Sequence, residues 1–356
     1  MKRLFDYLKT SVTVLLFSTC TEQQAVFDAL SRDLKSEVLM DRDSSLMIGD
    51  TDYITMVNNS LYIRDIHEGF CYTKYDTRTR EAYRFVMRGQ GPGEMLMPTY
   101  TVSSIKINDT AYIGLYESNL HKIFLYREDS LTDSAQNNFY KVIPCGDGSI
   151  HDLTMSAWIL NDSVILGGGI YKTDACKIYR YDPAQETYTG QGTYMKVFTG
   201  YEKGNEEWKR VLADGNKFDL SPDKSHIARI TQFGGLIEAY RVNGMELTPL
   251  FGKKYFNVMN NPDLKHNNDS RYGYIDVTVS DNKIYALYCG NQILHEPKED
   301  PFQSKTVHVY AWNGESLETL LLDKYVSGIA VNNEDTELYA LSSAEKDLLL
   351  FRLINN

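Results

Sequence analysis

Seven histidines, His67, His121, His151, His226, His266, His295 and His308, are the side chains suited to acid–base or metal chemistry near neutral pH. No two are spaced as neighbouring ligands, and neither HxH nor HExxH occurs. Nucleophilic catalysis has no anchor in the chain either. There is no GxSxG elbow, and Cys20, Cys71, Cys145, Cys176 and Cys289 are far apart with no CxxC pair. Such cysteines within strands behave as small apolar residues. The run Arg88-Gly89-Gln90-Gly91-Pro92-Gly93-Glu94 has the glycines of a loop that could cradle phosphate. It lacks the lysine of a Walker loop, and Met95-Leu96-Met97-Pro98 follows where a helix would have to begin. A shaped crossing between two elements, with Glu94 accepting backbone amides, fits it better. Asn267-Asn268-Asp269 offers oxygen ligands of the kind calcium takes, without EF-hand spacing. No cofactor and no metal site are expected, calcium being the one candidate.

The elements that would position these residues recur along the chain. A β-rich run, a tight polar turn, an aromatic strand, a loop and a second aromatic strand repeat from Asn58, Asn108, Asn161, Ser221, Ser280 and Asn332. Successive turns are 50, 53, 60, 59 and 52 residues apart. Asn-Asn, Asn-Asp and Ser-Pro-Asp between alternating apolar runs are hairpin signals, because these residues tolerate the backbone that a tight turn requires. DYITMV, VSSIKI, AWIL, KFDL, YIDVTV and GIAV precede the turns as first strands, and REAYRFV, KVIPC, TYMKVF, ELTPLF and ETLLL follow as outer ones. Four strands in 50–60 residues is the period of a propeller blade. The expected fold is therefore all-β: one six-bladed β-propeller of four-stranded blades over residues 35–356. The sixth repeat ends after three strands, and Ser36–Met40, SEVLM, is expected to complete it and close the ring.

Composition excludes several classes of function. A net charge of −11 argues against nucleic acid, which needs a cationic surface. Tyr alone accounts for 26 of 356 residues, a composition that favours pleated strands over disorder. At the amino terminus, Lys2, Arg3 and Lys9 precede a short apolar stretch, Ser11–Phe17, as in an export signal over residues 1–19. Leu16-Phe17-Ser18-Thr19-Cys20 has the form of a relaxed lipobox. Cys20 would become the lipid-modified first residue, residues 20–34 a polar tether, and the membrane would be met through the lipid alone. Cleavage removes three bases and one acid, taking the net charge from −11 to −13.

The RGQGPGE run, with Arg88, Gly89, Gly91, Pro92, Gly93 and Glu94, resembles the signature of the TolB-like six-bladed propeller lipoproteins of gut-associated Gram-negative anaerobes. Ser221-Pro222-Asp223 with Ile227-Ala228 is similar to the SPDG…IA blade motif of TolB-type propellers, Lys224 standing where that motif has Gly. The resemblance implies an exported, lipid-anchored monomer in the periplasm or at the outer membrane or cell surface, and carries over no catalytic residue. Asp109-Thr110-Ala111, Asp129-Ser130-Leu131 and Asp162-Ser163-Val164 resemble the short acceptor motif for O-linked glycans in such organisms.

A propeller gathers single residues from several inner strands around its axis, and His151, Asp152 and Asp276 are the channel candidates. The longest loops, Tyr201–Lys217, Gly252–Tyr272 and Gly290–Ser304, fall on one face. They carry Trp208, Arg210, Tyr255, Phe256, Arg271 and Tyr272, an aromatic and cationic set suited to a peptide, a glycan or an envelope protein. The expected function is a non-enzymatic binding module working through that face. The alternative is a propeller hydrolase or lyase of lactonase type with its site at the channel, which requires acids or histidines from at least three inner strands to converge.

Overall fold

The computed structural model describes residues 27–40, 50–96, 98–131, 139–145, 152–171, 176–182, 187–193, 216–256, 271–293, 300, 302–342 and 344–354. Two short strands, β1 (Ser31–Leu34) and β2 (Ser36–Met40), come before the first blade. The first blade is β3 (Asp50–Val57), β4 (Ser60–His67), β5 (Phe70–Asp76) and β6 (Ala82–Met87). The second is β7 (Pro98–Ile107), β8 (Thr110–Glu117), β9 (Lys122–Arg127) and β10 (Lys141–Pro144). The third is β11 (Asp152–Asn161), β12 (Val164–Tyr171), β13 (Cys176–Asp182) and β14 (Thr187–Thr193). The fourth is β15 (Asn216–Leu220), β16 (His226–Thr231), β17 (Leu236–Asn243) and β18 (Glu246–Lys254). The fifth is β19 (Tyr274–Val279), β20 (Lys283–Tyr288), β21 (Ser304–Ala311) and β22 (Ser316–Val326). The sixth holds β23 (Gly328–Val331), β24 (Glu337–Ser342) and β25 (Asp347–Arg352). Each blade is an antiparallel meander with its first strand at the inner edge of the sheet, so the six-bladed propeller expected from the repeats is the fold.

The hairpin turns behave as their residues dictate. Asn58 and Asn59, and then Asn108 and Asp109, take φ of 49° and 64° and of 48° and 62°, the left-handed pair of a two-residue turn whose twist matches its strands. Six clusters of buried apolar residues hold the blades together, one at each seam. Tyrosine occurs in every seam because it combines a large apolar ring with a hydroxyl that can reach the next blade. The hydroxyl of Tyr72 donates to Thr99 O at 3.0 Å, that of Tyr116 to Thr154 O at 3.0 Å, and that of Tyr285 to Asp335 Oδ1 at 2.9 Å. Cys71, Cys145 and Cys176 are buried free thiols, and burial pushes the Cys71 thiol up to about 12, out of reach of reactivity.

Closure follows the expectation and extends it. β2 lies antiparallel to β25, from Ser36 opposite Phe351 to Met40 opposite Leu348, and supplies the missing outer strand of the sixth blade. β1 lies parallel to β22 and makes the fifth blade five-stranded. The tether read as residues 20–34 is therefore too long by at least four residues. Leu34 is buried in the seam cluster, and Arg32 bonds Glu318 at 3.0 Å and Leu353 O at 2.6 Å, so this segment has the burial and partners that a free tether lacks. A second correction concerns the third blade. Its outer strand is Thr187–Thr193, upstream of the apolar run TYMKVF, because pairing with β13 sets the register from Cys176 opposite Thr193 outwards.

Candidate functional site

The first strand of each blade is a sheet edge that faces the axis, so its outward N–H and C=O groups need partners from another blade. Side chains supply them. Asp219 Oδ2 of β15 accepts the Val279 amide of β19 at 3.0 Å, while its Oδ1 accepts Leu220 N at 3.0 Å. Asp276 Oδ2 of β19 accepts Ile329 N of β23 at 2.8 Å, and Thr278 Oγ1 accepts Val331 N at 3.2 Å. Lys217 Nζ closes a salt bridge to Asp276 Oδ1 at 3.1 Å. Burial pushes the Asp219 carboxyl up to about 7 against the pull of its two amide bonds, with the Asp276 charge adding to the rise. Asp276 is raised by burial and held back by the Lys217 ammonium. Tyr53 of β3, on the opposite side of the ring, is raised first by burial and then by the charges of Asp219 and Asp276.

Carbonyls at the inner edge are met by one lysine. Lys224 sits in the turn after β15 at φ 62°, a conformation natural to the glycine whose place it takes in the motif. Its Nζ reaches two neighbouring blades and donates to Ser104 O at 2.7 Å, Ile159 O at 2.9 Å and Leu160 O at 3.4 Å. Loss of hydration lowers its pKa. The turn is braced from within, as Asp223 accepts Ser225 N at 2.9 Å and Lys224 N donates to Ser221 O at 2.7 Å. It is also tied to its neighbours: Asp281 Oδ1 accepts Asp223 N at 2.9 Å, and Asn333 Oδ1 accepts Asp281 N at 3.1 Å.

Asp219, Thr278, Val331 and Lys224 line an axial cavity of about 300 Å³ that opens on the face of the first hairpin turns. All six blades line it: Thr55 and Asn59, Ser103, Trp158, Asp219 and Lys224, Thr278, and Glu334 come from the first to the sixth in turn. Asn58, Asn59, Pro222, Asn333 and Glu334 form an exposed rim.

The long-loop face lies at the other end of the axis, and its described residues pack the seam between the fourth and fifth blades. Tyr255 is only 6% exposed, and its hydroxyl meets that of Tyr310 at 2.8 Å. It is a core residue, which removes it from the expected ligand contacts: a ring sealed between two blades touches nothing outside them. Phe256 stacks on Tyr288, Arg271 Nη1 donates to Gly290 O at 3.0 Å, and Tyr272 packs against Phe233 and Phe302. Beneath them His308 is sandwiched between Phe27, at 3.9 Å between ring centroids, and Tyr288, at 4.4 Å. Burial holds its imidazole down to about 3, so it is neutral.

Of the channel candidates, Asp276 faces the inner strands and is engaged as described. Cys20, His151, Trp208, Arg210 and the calcium candidate Asn267–Asp269 lie outside the described residues, as does the side chain of Asp152. Among the described residues no three His, Cys, Asp or Glu side chains gather as a metal site would require. The glycine-rich run is a connector. Gly91 N donates to Glu94 Oε2 at 2.8 Å, Gly89 N donates to Met95 O at 3.1 Å, and a Cβ on Gly89 would lie 1.9 Å from Glu94 Oε2. Lys217, Asp219 and Tyr53 were not singled out in the sequence, and Lys224 was noted only as a departure from a motif. One signal was available: Lys217 and Asp276 both stand four residues before the serine of their turns, Ser221 and Ser280, so neighbouring repeats place opposite charges at equivalent positions.

Residues 182–334, from the end of the third blade into the sixth, match the family model of TolB-like 6-blade propeller-like proteins. That match, which includes the Ser-Pro-Asp turn, and the six blades bear out the resemblance to TolB-like six-bladed propellers. Among solved structures, a Bacteroides fragilis protein provisionally described as exported superposes with a TM-score of 0.53 at 14% identity, over 92% of this chain and 100% of its own. Hydrazine synthase of Kuenenia stuttgartiensis superposes with a TM-score of 0.49 at 12% identity, over 88% of this chain and 80% of its own. At these identities the likeness is one of fold. No curated protein matches the chain in sequence.

Proposed function

We propose that this propeller is an exported, lipid-anchored binding protein, non-enzymatic, whose ligand occupies the axial cavity on the turn face. The observation that carries this reading is the construction of the cavity: all six blades line it, and interblade hydrogen bonds brace its rim before any ligand arrives. A pre-formed concave site with a few fixed polar groups is what small-molecule recognition needs. At about 300 Å³ it suits a small polar molecule. Lactonase-type chemistry is less well supported, since the axial carboxylates that the described residues display, Asp219 and Asp276, come from two inner strands and each already accepts a backbone amide. A second reading keeps a peptide or glycan on the loop face, where Phe302 is 54% exposed beside Tyr272.

The test is a thermal-shift screen of the full chain against sugars, amino acids, amines and organic acids, repeated with Ser104→Trp, which fills the cavity from a half-buried position. Compounds that raise the midpoint by a few degrees through binding the native state should lose their effect in that variant. Stabilisation that survives Ser104→Trp but vanishes when residues 257–270 are shortened would transfer the site to the loop face.

A further inference from the structure

We infer that the axial cavity selects a small molecule carrying a primary ammonium group. This rests on the reading of the cavity as the ligand site and adds the chemistry of what enters it. The chain already contains an example of the recognition: the Lys224 ammonium stands at the cavity wall with three backbone carbonyls, Ser104 O, Ile159 O and Leu160 O, converging on it. Three acceptors for three N–H donors is the complement of a primary ammonium. The geometry arises from the fold, since inner-edge strands of the second and third blades present these carbonyls towards the axis.

The charges point the same way. Lys224 is the cation among the described lining residues, and its carbonyl partners already surround it. Against it stand two acidic groups, Asp219 inside, about half ionised at pH 7, and Glu334 on the exposed rim. Asp219 accepts one amide on each oxygen and a further bond from the Thr278 side chain, which still leaves the carboxylate acceptor capacity for one more donor. A ligand ammonium within hydrogen-bond reach of Asp219 would make a charge-assisted bond to a buried carboxyl, where the lower local dielectric strengthens it. An anionic ligand would meet the same two acidic groups, while the ammonium of Lys224 is already held by three backbone carbonyls. The net charge of −11 further draws cations towards the molecule.

The experiment compares three probes of one length and three charges, 1,4-diaminobutane, butane-1,4-diol and succinate, titrated calorimetrically into the full chain. The diamine should bind at least tenfold more tightly than the diol, and succinate should not bind. Asp219→Asn and the rim variant Glu334→Gln should each weaken the diamine, Asp219→Asn by tenfold or more. Because Glu334 is exposed, its variant reports on charge even if Asp219→Asn disturbs the fold. A diol that binds as tightly as the diamine, or a diamine affinity indifferent to both substitutions, overturns the ammonium assignment while leaving the cavity as the ligand site. Failure of all three probes, together with screen hits that ignore Ser104→Trp, overturns the underlying reading as well. An independent arm uses Lys224→Gly, which suits the φ of 62° and empties the carbonyl nest. Methylammonium chloride should raise the midpoint of that variant more than the same concentration of sodium chloride, and equal effects would count against the nest as an ammonium site.

Discussion

At the scale of single residues, the informative positions are those where one side chain serves the backbone of another blade. Lys224 is the clearest. In the sequence it reads as a departure from a motif, and in the fold its ammonium ties the fourth blade to the second and third. Its role was illegible beforehand because its partners are carbonyls, which every residue has and no sequence distinguishes. His308 gives a pH dependence with a definite sign. Its folded pKa of about 3 lies below the ordinary value near 6.5, so the folded state binds fewer protons than the unfolded state between those limits. The stability it confers is complete above pH 6.5 and is lost as the pH falls towards 3. The groups packed around it, Tyr255, Tyr274, Tyr288 and Tyr310, do not titrate in that window. His308→Phe should therefore flatten the fall in unfolding free energy between pH 6.5 and pH 4, by roughly 1 kcal/mol per pH unit. An identical fall in variant and parent would refute the assignment.

At the scale of elements, the strands and tight turns were readable because each depends on local rules, alternation for the strands and Asn, Asp or Ser-Pro at the corners. Ser36–Met40 was readable for a different reason: the sixth repeat lacked a strand and the chain had one to spare. β1 was not, since nothing in Ser31–Leu34 marks it as a fifth strand, and its pairing is decided by the edge that β22 leaves open. The two strands together cross the outer edges of the fifth and sixth blades and hold the ring shut. Deleting residues 34–41 removes β2 and the buried side chains of Leu34 and Met40, and should cost about 3–5 kcal/mol. Thermal unfolding measured against the parent checks this, and an unchanged midpoint would show that the ring closes without the strand.

At the scale of the whole molecule, the two faces have different constructions. The turn face is rigid and open at the axis, whereas the described part of the loop face is packed with aromatic rings between the fourth and fifth blades. Phe27, seven residues after Cys20, is lodged in that seam. If Cys20 carries lipid, at most about 25 Å of chain separates the membrane from the seam. Metabolic labelling with a palmitate analogue should mark the native protein and fail in Cys20→Ser, and labelling that persists in the variant would rule out Cys20 as the anchor.

The sequence by itself determined the blade count, the strand pattern, the motif connector and the excess of tyrosine in the seams. All of these follow from periodicities of two residues and of fifty to sixty, which are properties of the chain as a line. Only the tertiary structure decided which end of the axis carries a cavity, which aromatic residues are sealed inside, and which blade each polar side chain serves. Those outcomes depend on closing the line into a ring. Closure places Lys224 beside Ser104, 120 residues away, and Asp219 beside Val279, 60 residues away, and neither juxtaposition has any signature along the chain.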